Sequence, residues 1–160
     1  MRYYWDLIRH FFISNSRHGT HSPFVYGLAC HVIYHVSRVQ PHTVAVPVDF
    51  NLKYKNLLLD ILTYIDIQEL AYWGQSDHAA ALFVDSPNIP SEEITEVVRA
   101  GKMVVIHEPF QTRETKRTWQ KFVQSTDIVV SINLFHFGLL IYREGQRKED
   151  FVLRYPFWRK

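Results

Sequence analysis

Cysteine is almost missing from this chain: Cys30 stands alone, which excludes an intrachain disulfide and fits a reducing compartment. Nothing around Cys30 in the sequence would lower a thiol pKa, so it reads as a small core residue. Long apolar runs are missing too. No stretch approaches the roughly 20 residues that span a bilayer, so neither a membrane span nor a membrane partner is expected. The opening "MRYYWDLIRHFFI" is split by Asp6, Arg9 and His10 and lacks the unbroken apolar centre of a secretory signal. A cytoplasmic chain is the expectation. Excess charge of one sign is absent as well: 18 basic residues face 16 acidic ones. That balance gives no concentrated basic surface, so a nucleic-acid partner is not expected. Internal repeats and low-complexity tracts are not found.

What remains is ordinary for a folded chain: 160 residues, 47% apolar and 21% charged, enough for one domain with a sizeable core. Residues 1–160 read as a single domain, with a helical cap over 1–40 and an α/β core over 41–160. Aromatics are plentiful at 15% and gather at both ends. Tyr4, Trp5, Ile8, Phe11 and Phe12 recur at helical spacing with Asp6 and Arg9 on the other side, an amphipathic helix. A second helix starts at Ser22-Pro23 and carries Phe24, Leu28, Val32, Ile33 and Val36. "TVAVPV", residues 43–48, is β-rich, but Pro41 and Pro47 limit it to an edge strand or extended linker. Residues 51–65 form a helix with Tyr54, Leu57, Leu58, Ile61, Leu62 and Ile65 on one face.

The second half alternates. "IQELAYWG" predicts a strand ending at Gly74, and "ALFVD" a short buried strand ending at Asp85. A helix follows, capped by Ser91, with Glu92 and Glu93 near its positive end; it buries Ile94, Val97 and Val98 and stops at Gly101. "MVVI", residues 103–106, is another buried strand. A helix from Arg113 then buries Trp119, Phe122 and Val123. "IVVSINLF" and "GLLIYR" sit too close together for a helical crossover and predict an antiparallel pair. The fold class is α/β, with about five strands, a C-terminal antiparallel hairpin and N-terminal helices.

The stretch "RHGTHSPFVY", residues 17–26, interrupts the aromatic N-terminal region with two histidines, a serine and a proline. Serine before proline is a helix-start signal, because its hydroxyl accepts from an early helical N–H. Ser22 therefore reads as a cap ahead of a nucleophile. Arg17, His18 and His21 read either as a cationic rim for a carboxylate or phosphate, or as fasteners of a compact turn. His10, His31 and His35 read as surface or interfacial residues.

This stretch resembles the "H-G-x-H-S-P-F-V" segment that opens a bacterial branch of the class I S-adenosylmethionine-dependent methyltransferases. The carrying residues here are His18, Gly19, His21, Ser22, Pro23, Phe24 and Val25. "LFVDSPN" and "MVVIHEP" are similar to the branch's "IFIDGNH" and "VLVFDDI", and residues 130–154 follow its closing hairpin and tail. The resemblance covers about two thirds of the chain in two blocks. It implies a Rossmann-like sheet and methyl transfer as the reaction class, with no substrate identified.

One family feature is missing. Members carry a turn of the form "LELGTxxGxxT" after their first strand, where glycines let the backbone approach the cofactor. Here Gly74 has no second glycine near it, and only about ten residues separate it from Asp85. Gly74 is thus the one cofactor-binding candidate. The family sheet order is 3-2-1-4-5-7-6; removing what lies between strands 1 and 4 leaves a shortened sheet, 1-4-5-7-6, without the adenosine half. Because the connection is short for parallel strands, the first strand could also be absent or reversed.

The expectation is a degenerate, methyltransferase-like protein with no cofactor, acting as a binding or assembly module. Two alternatives stay open. One is an active S-adenosylmethionine-dependent O-methyltransferase whose cofactor site is rebuilt or shared across a dimer. The other is a small enzyme using a divalent metal on Asp85, His107 and Glu108, where the resemblance puts metal-binding and catalytic carboxylates at strand ends. An imidazole with carboxylates suits several divalent ions, yet adjacent residues on a loop often point apart. The closing "YPFWRK" places Tyr155, Phe157 and Trp158 either over a sheet edge or in a homodimer contact.

Overall fold

The computed structural model describes residues 2–15, 22–35, 43–85 and 89–158. Among them are five α-helices and six strands: α1 Arg2–Ile13, α2 Pro23–Leu28, α3 Lys55–Tyr64, β1 Leu70–Tyr72, β2 Ala81–Val84, α4 Ser91–Arg99, β3 Met103–His107, α5 Arg113–Gln124, β4 Val130–Asn133, β5 Phe137–Ile141 and β6 Glu149–Val152. α2 runs on into a π-helical turn, Ala29–Ile33. The strands form one mixed sheet in the order β1-β2-β3-β5-β4-β6. β1, β2 and β3 are parallel, β5 is antiparallel to both β3 and β4, and β6 runs parallel to β4.

Side chains alternate across each strand, and the two faces fill different cores. Phe83, Met103, Val105, Ile132, Phe137 and Leu139 meet the buried sides of α2 and α3. Val84, Val104, Ile106 and Leu140 meet Ile94 and Val98 of α4 and Trp119 and Phe122 of α5. β2 and β3 are therefore apolar on both faces and read as unbroken apolar runs, whereas β4 alternates Val130 and Ile132 with the buried polar residues Ser131 and Asn133. Gly138 of β5 is where the Trp119 ring lies against the sheet; a Cβ there would stand 2.3 Å from it.

Several sequence expectations change. The sheet has six strands, one more than read. β6 escaped because it begins with Glu149 and Asp150, polar residues of an edge strand; Asp150 accepts a 2.6 Å hydrogen bond from Ser131 of β4. β1 is present and parallel, neither absent nor reversed. It is only three residues long, so the return to β2 covers about 10 Å, and residues 73–80 span it without a helix. Gly74, at φ +78°, makes the turn, while Ser76 Oγ accepts from the backbone N–H groups of His78 and Ala79. Residues 43–48 reduce to a single parallel bridge, Ala45 to Glu69, beside β1.

Capping differs in a similar way. Ser22 caps α2 by accepting from the Val25 N–H, with Pro23 in the first turn, as read. Ser91 is not a cap: α4 follows Pro90, which makes no side-chain bond, and the Ser91 hydroxyl donates to Glu92. The capping box is on α5, where Thr112 and Thr115 exchange side chain-to-backbone bonds. The tail packs away from the β1 edge: Tyr155 lies edge-on against His136 of the β4–β5 turn, and Trp158 stacks on Tyr34.

α1 is amphipathic, but it packs with the opposite face from the one its apolar residues suggest. Asp6 and His10 are buried, whereas Trp5 is 69% and Phe12 78% exposed. His10, read as a surface residue, sits between the rings of Phe110 and Phe135. Asp6 is buried because Lys116 of α5 reaches it at 2.5 Å. No helix among the described residues is long and apolar enough to cross a membrane.

Candidate site at the carboxyl ends of the strands

In a parallel sheet with helices on both faces, ligands sit beyond the carboxyl ends of the strands. Here that end brings together Tyr72, Asp85, His107 and Glu108 at the ends of β1, β2 and β3, with His136 from the β4–β5 turn. Tyr3 of α1 reaches over them, and Lys53 and Tyr54 approach from the start of α3.

Glu108 is the centre. It is buried, and its backbone takes φ +36°, a region non-glycine residues rarely occupy. Its N–H donates to the His136 carbonyl at 2.9 Å. One carboxylate oxygen lies 3.1 Å from His136 Nδ1 and 3.3 Å from Lys53 Nζ. The other accepts the Tyr3 hydroxyl at 3.1 Å. Burial pushes the Glu108 pKa up, but the His136 bond and charge, Lys53 and the Tyr3 hydroxyl outweigh it and hold the group below the ordinary carboxylate range. The anion in turn, after burial itself, raises the Tyr3 phenol above its usual value. Phe135, next to His136, is the second non-glycine residue of this cluster at positive φ, +70°. Two such residues mark where packing holds the backbone against its preference.

His107 faces differently because successive strand residues point to opposite sides. Its Nδ1 meets the Tyr54 hydroxyl. Burial lowers its pKa, with Glu108 and Asp85 opposing, and its Nδ1 and the Tyr54 hydroxyl share one hydrogen bond. Asp85 is exposed. Asp85 and His107 share a crevice of about 20 Å³ with Ile89, Thr115 and Thr118, room for about one water molecule. Glu108 does not line that crevice; it turns toward α1. Among the described residues, no three His, Cys, Asp or Glu side chains are placed to share a metal ion. Arg17, His18 and His21 lie outside the described residues.

On the α3 side, the same strand ends are filled with rings. Phe50 meets Phe83 edge-on at 5.0 Å, Tyr72 meets Phe83 at 5.8 Å, and Tyr54 stacks on Phe137 at 4.6 Å. Phe50, Tyr54, Phe83 and Phe137 are all buried. Gly74 needs its glycine for the turn at positive φ, and no helix N-terminus follows it to receive a phosphate or carboxylate.

Sequence reading missed Tyr3, Lys53 and His136. They lie far from Glu108 along the chain, and no local spacing marks them. The one available signal was His136 itself, a polar residue between the apolar Leu134-Phe135 and the apolar start of β5. No family model, curated protein or solved structure matches the chain.

Proposed function

We propose that the chain is a methyltransferase-like protein that does not bind S-adenosylmethionine in the usual way and works as a binding or assembly module of a reducing compartment. The run β1-β2-β3-β5-β4 follows the order expected when strands 2 and 3 are taken out of the class I sheet, which supports the lineage. The observation that carries the loss of cofactor binding is the link from β1 to β2. Eight residues, Trp73 to Ala80, replace a glycine-rich turn and its helix. Among the described residues no helix lies between β1 and β2 to aim backbone donors at the cofactor's carboxylate, and no further strand follows β1 there to carry an acidic residue to the ribose. The ring cluster around Phe83 occupies the neighbouring volume.

The Glu108 cluster fits this reading. Its carboxylate is held by Tyr3, Lys53 and His136, so it fastens α1 to the sheet. Isothermal titration with S-adenosylmethionine and S-adenosylhomocysteine tests the proposal. No heat of binding is expected up to millimolar ligand; saturable binding at micromolar concentration would overturn it.

A further inference from the structure

The outward face of α1 carries Tyr4, Trp5, Ile8, Phe11 and Phe12, exposed by 68%, 69%, 49%, 44% and 78%. With roughly 150–250 Å² available on each aromatic side chain, this face leaves on the order of 600 Å² of apolar surface open. That equals or exceeds the largest patch of a typical monomer and approaches the roughly 800 Å² one partner gives to a standard interface. Arg154 of the tail lies over the Phe11 ring at 4.2 Å.

We infer that this face pairs with the same face of a second copy of the chain, the two α1 helices crossing antiparallel about a two-fold axis at Ile8. The argument is the spacing. Positions 4 and 12, and positions 5 and 11, are each symmetric about position 8. An antiparallel two-fold pair therefore sets Tyr4 against the second copy's Phe12, Trp5 against its Phe11, and the smaller Ile8 against itself. Large residues flank a small one on both helices, so the ridges interdigitate. Charge is compatible with this register. Arg9 falls opposite position 7, not opposite a second Arg9, and Arg154 sits beside the Phe11–Trp5 contact, where a cation over an aromatic face is favourable. The buried face of α1 cannot serve instead, since Asp6, His10 and Tyr3 hold it to the protein.

This names the partner for the assembly role above. A chain that bound S-adenosylmethionine while dimerising through α1 would end that earlier reading and leave this one intact. The test is sedimentation velocity from 1 to 100 µM on the whole chain, as isolated and as the double variant Trp5→Glu/Phe12→Glu. The expected result is a species of twice the 19.0 kDa chain mass that dissociates at least a hundredfold more readily in the variant, with the thermal melt of the variant's monomer retained. A second arm places a thiol on the axis: Ile8→Cys in a Cys30→Ala background should cross-link to dimer on mild oxidation, and Arg9→Cys much less. A chain that stays monomeric at 100 µM, or a dimer indifferent to both substitutions, overturns the inference. So does a monomer that instead pellets with phosphatidylcholine–phosphatidylglycerol vesicles.

Discussion

His10 offers a prediction that can be worked through from its surroundings. The ring is buried between Phe110 and Phe135, and it lies 3.4 Å from the Asn133 carbonyl. Burial pushes its pKa down from 6.5 to about 4. The sign follows from proton counts. Between those values the unfolded chain binds a proton that the folded chain does not, so stability is complete above pH 6.5 and falls as the pH drops toward 4. At pH 5 the unfolded imidazole is nearly all protonated and the buried one about nine-tenths neutral, which removes about 2 kcal/mol. His107, also lowered by burial, acts in the same direction. Glu108, held below the carboxylate range, contributes its loss only at lower pH. The window from pH 7.5 to pH 5 thus reports the histidines. Urea denaturation at both pH values, for the chain and for His10→Leu, measures the effect. The chain should lose about 2 kcal/mol more than the variant across that window. Equal losses, or a chain more stable at pH 5, would refute the reasoning about His10.

Two further predictions concern packing and charge. Gly138→Ala puts a methyl group into the Trp119 ring, 2.3 Å away; either the ring or β5 must move, at about 1–3 kcal/mol, read as a lower midpoint in chemical denaturation. Glu108→Gln removes the charge that Lys53, His136 and Tyr3 converge on. The cost should be about 2–3 kcal/mol at pH 7, and the acid-side loss of stability assigned to Glu108 should disappear from the pH profile.

The legible part of the sequence was the part where one residue pattern served one purpose. β2 and β3 are apolar on both faces, so runs such as "MVVI" announced them, and the spacing of the apolar segments separated the helical crossovers from the hairpin. α5 announced itself through Trp119 and Phe122 at helical spacing. The illegible parts were those where tertiary contacts override the local pattern. α1 follows its apolar period, yet Lys116 and the Glu108 cluster recruit its polar side inward through Asp6 and Tyr3. β6 is held at an edge by Ser131 and by the β4 backbone, so it needs no apolar run. The candidate set of Asp85, His107 and Glu108 was drawn from positions at strand ends, but 107 and 108 leave β3 on opposite sides. Glu108 finds its partners 28 and 105 residues away, distances at which a single sequence carries no spacing signal.

The measurement closest to the central claim is a titration of the ¹⁵N-labelled chain with S-adenosylhomocysteine to 1 mM, followed through its amide spectrum. The account predicts that the amides of Gly74 to Ala80 and of Asp85 stay where they are. Saturable shifts gathered at those residues, from one copy or across a dimer, would contradict it.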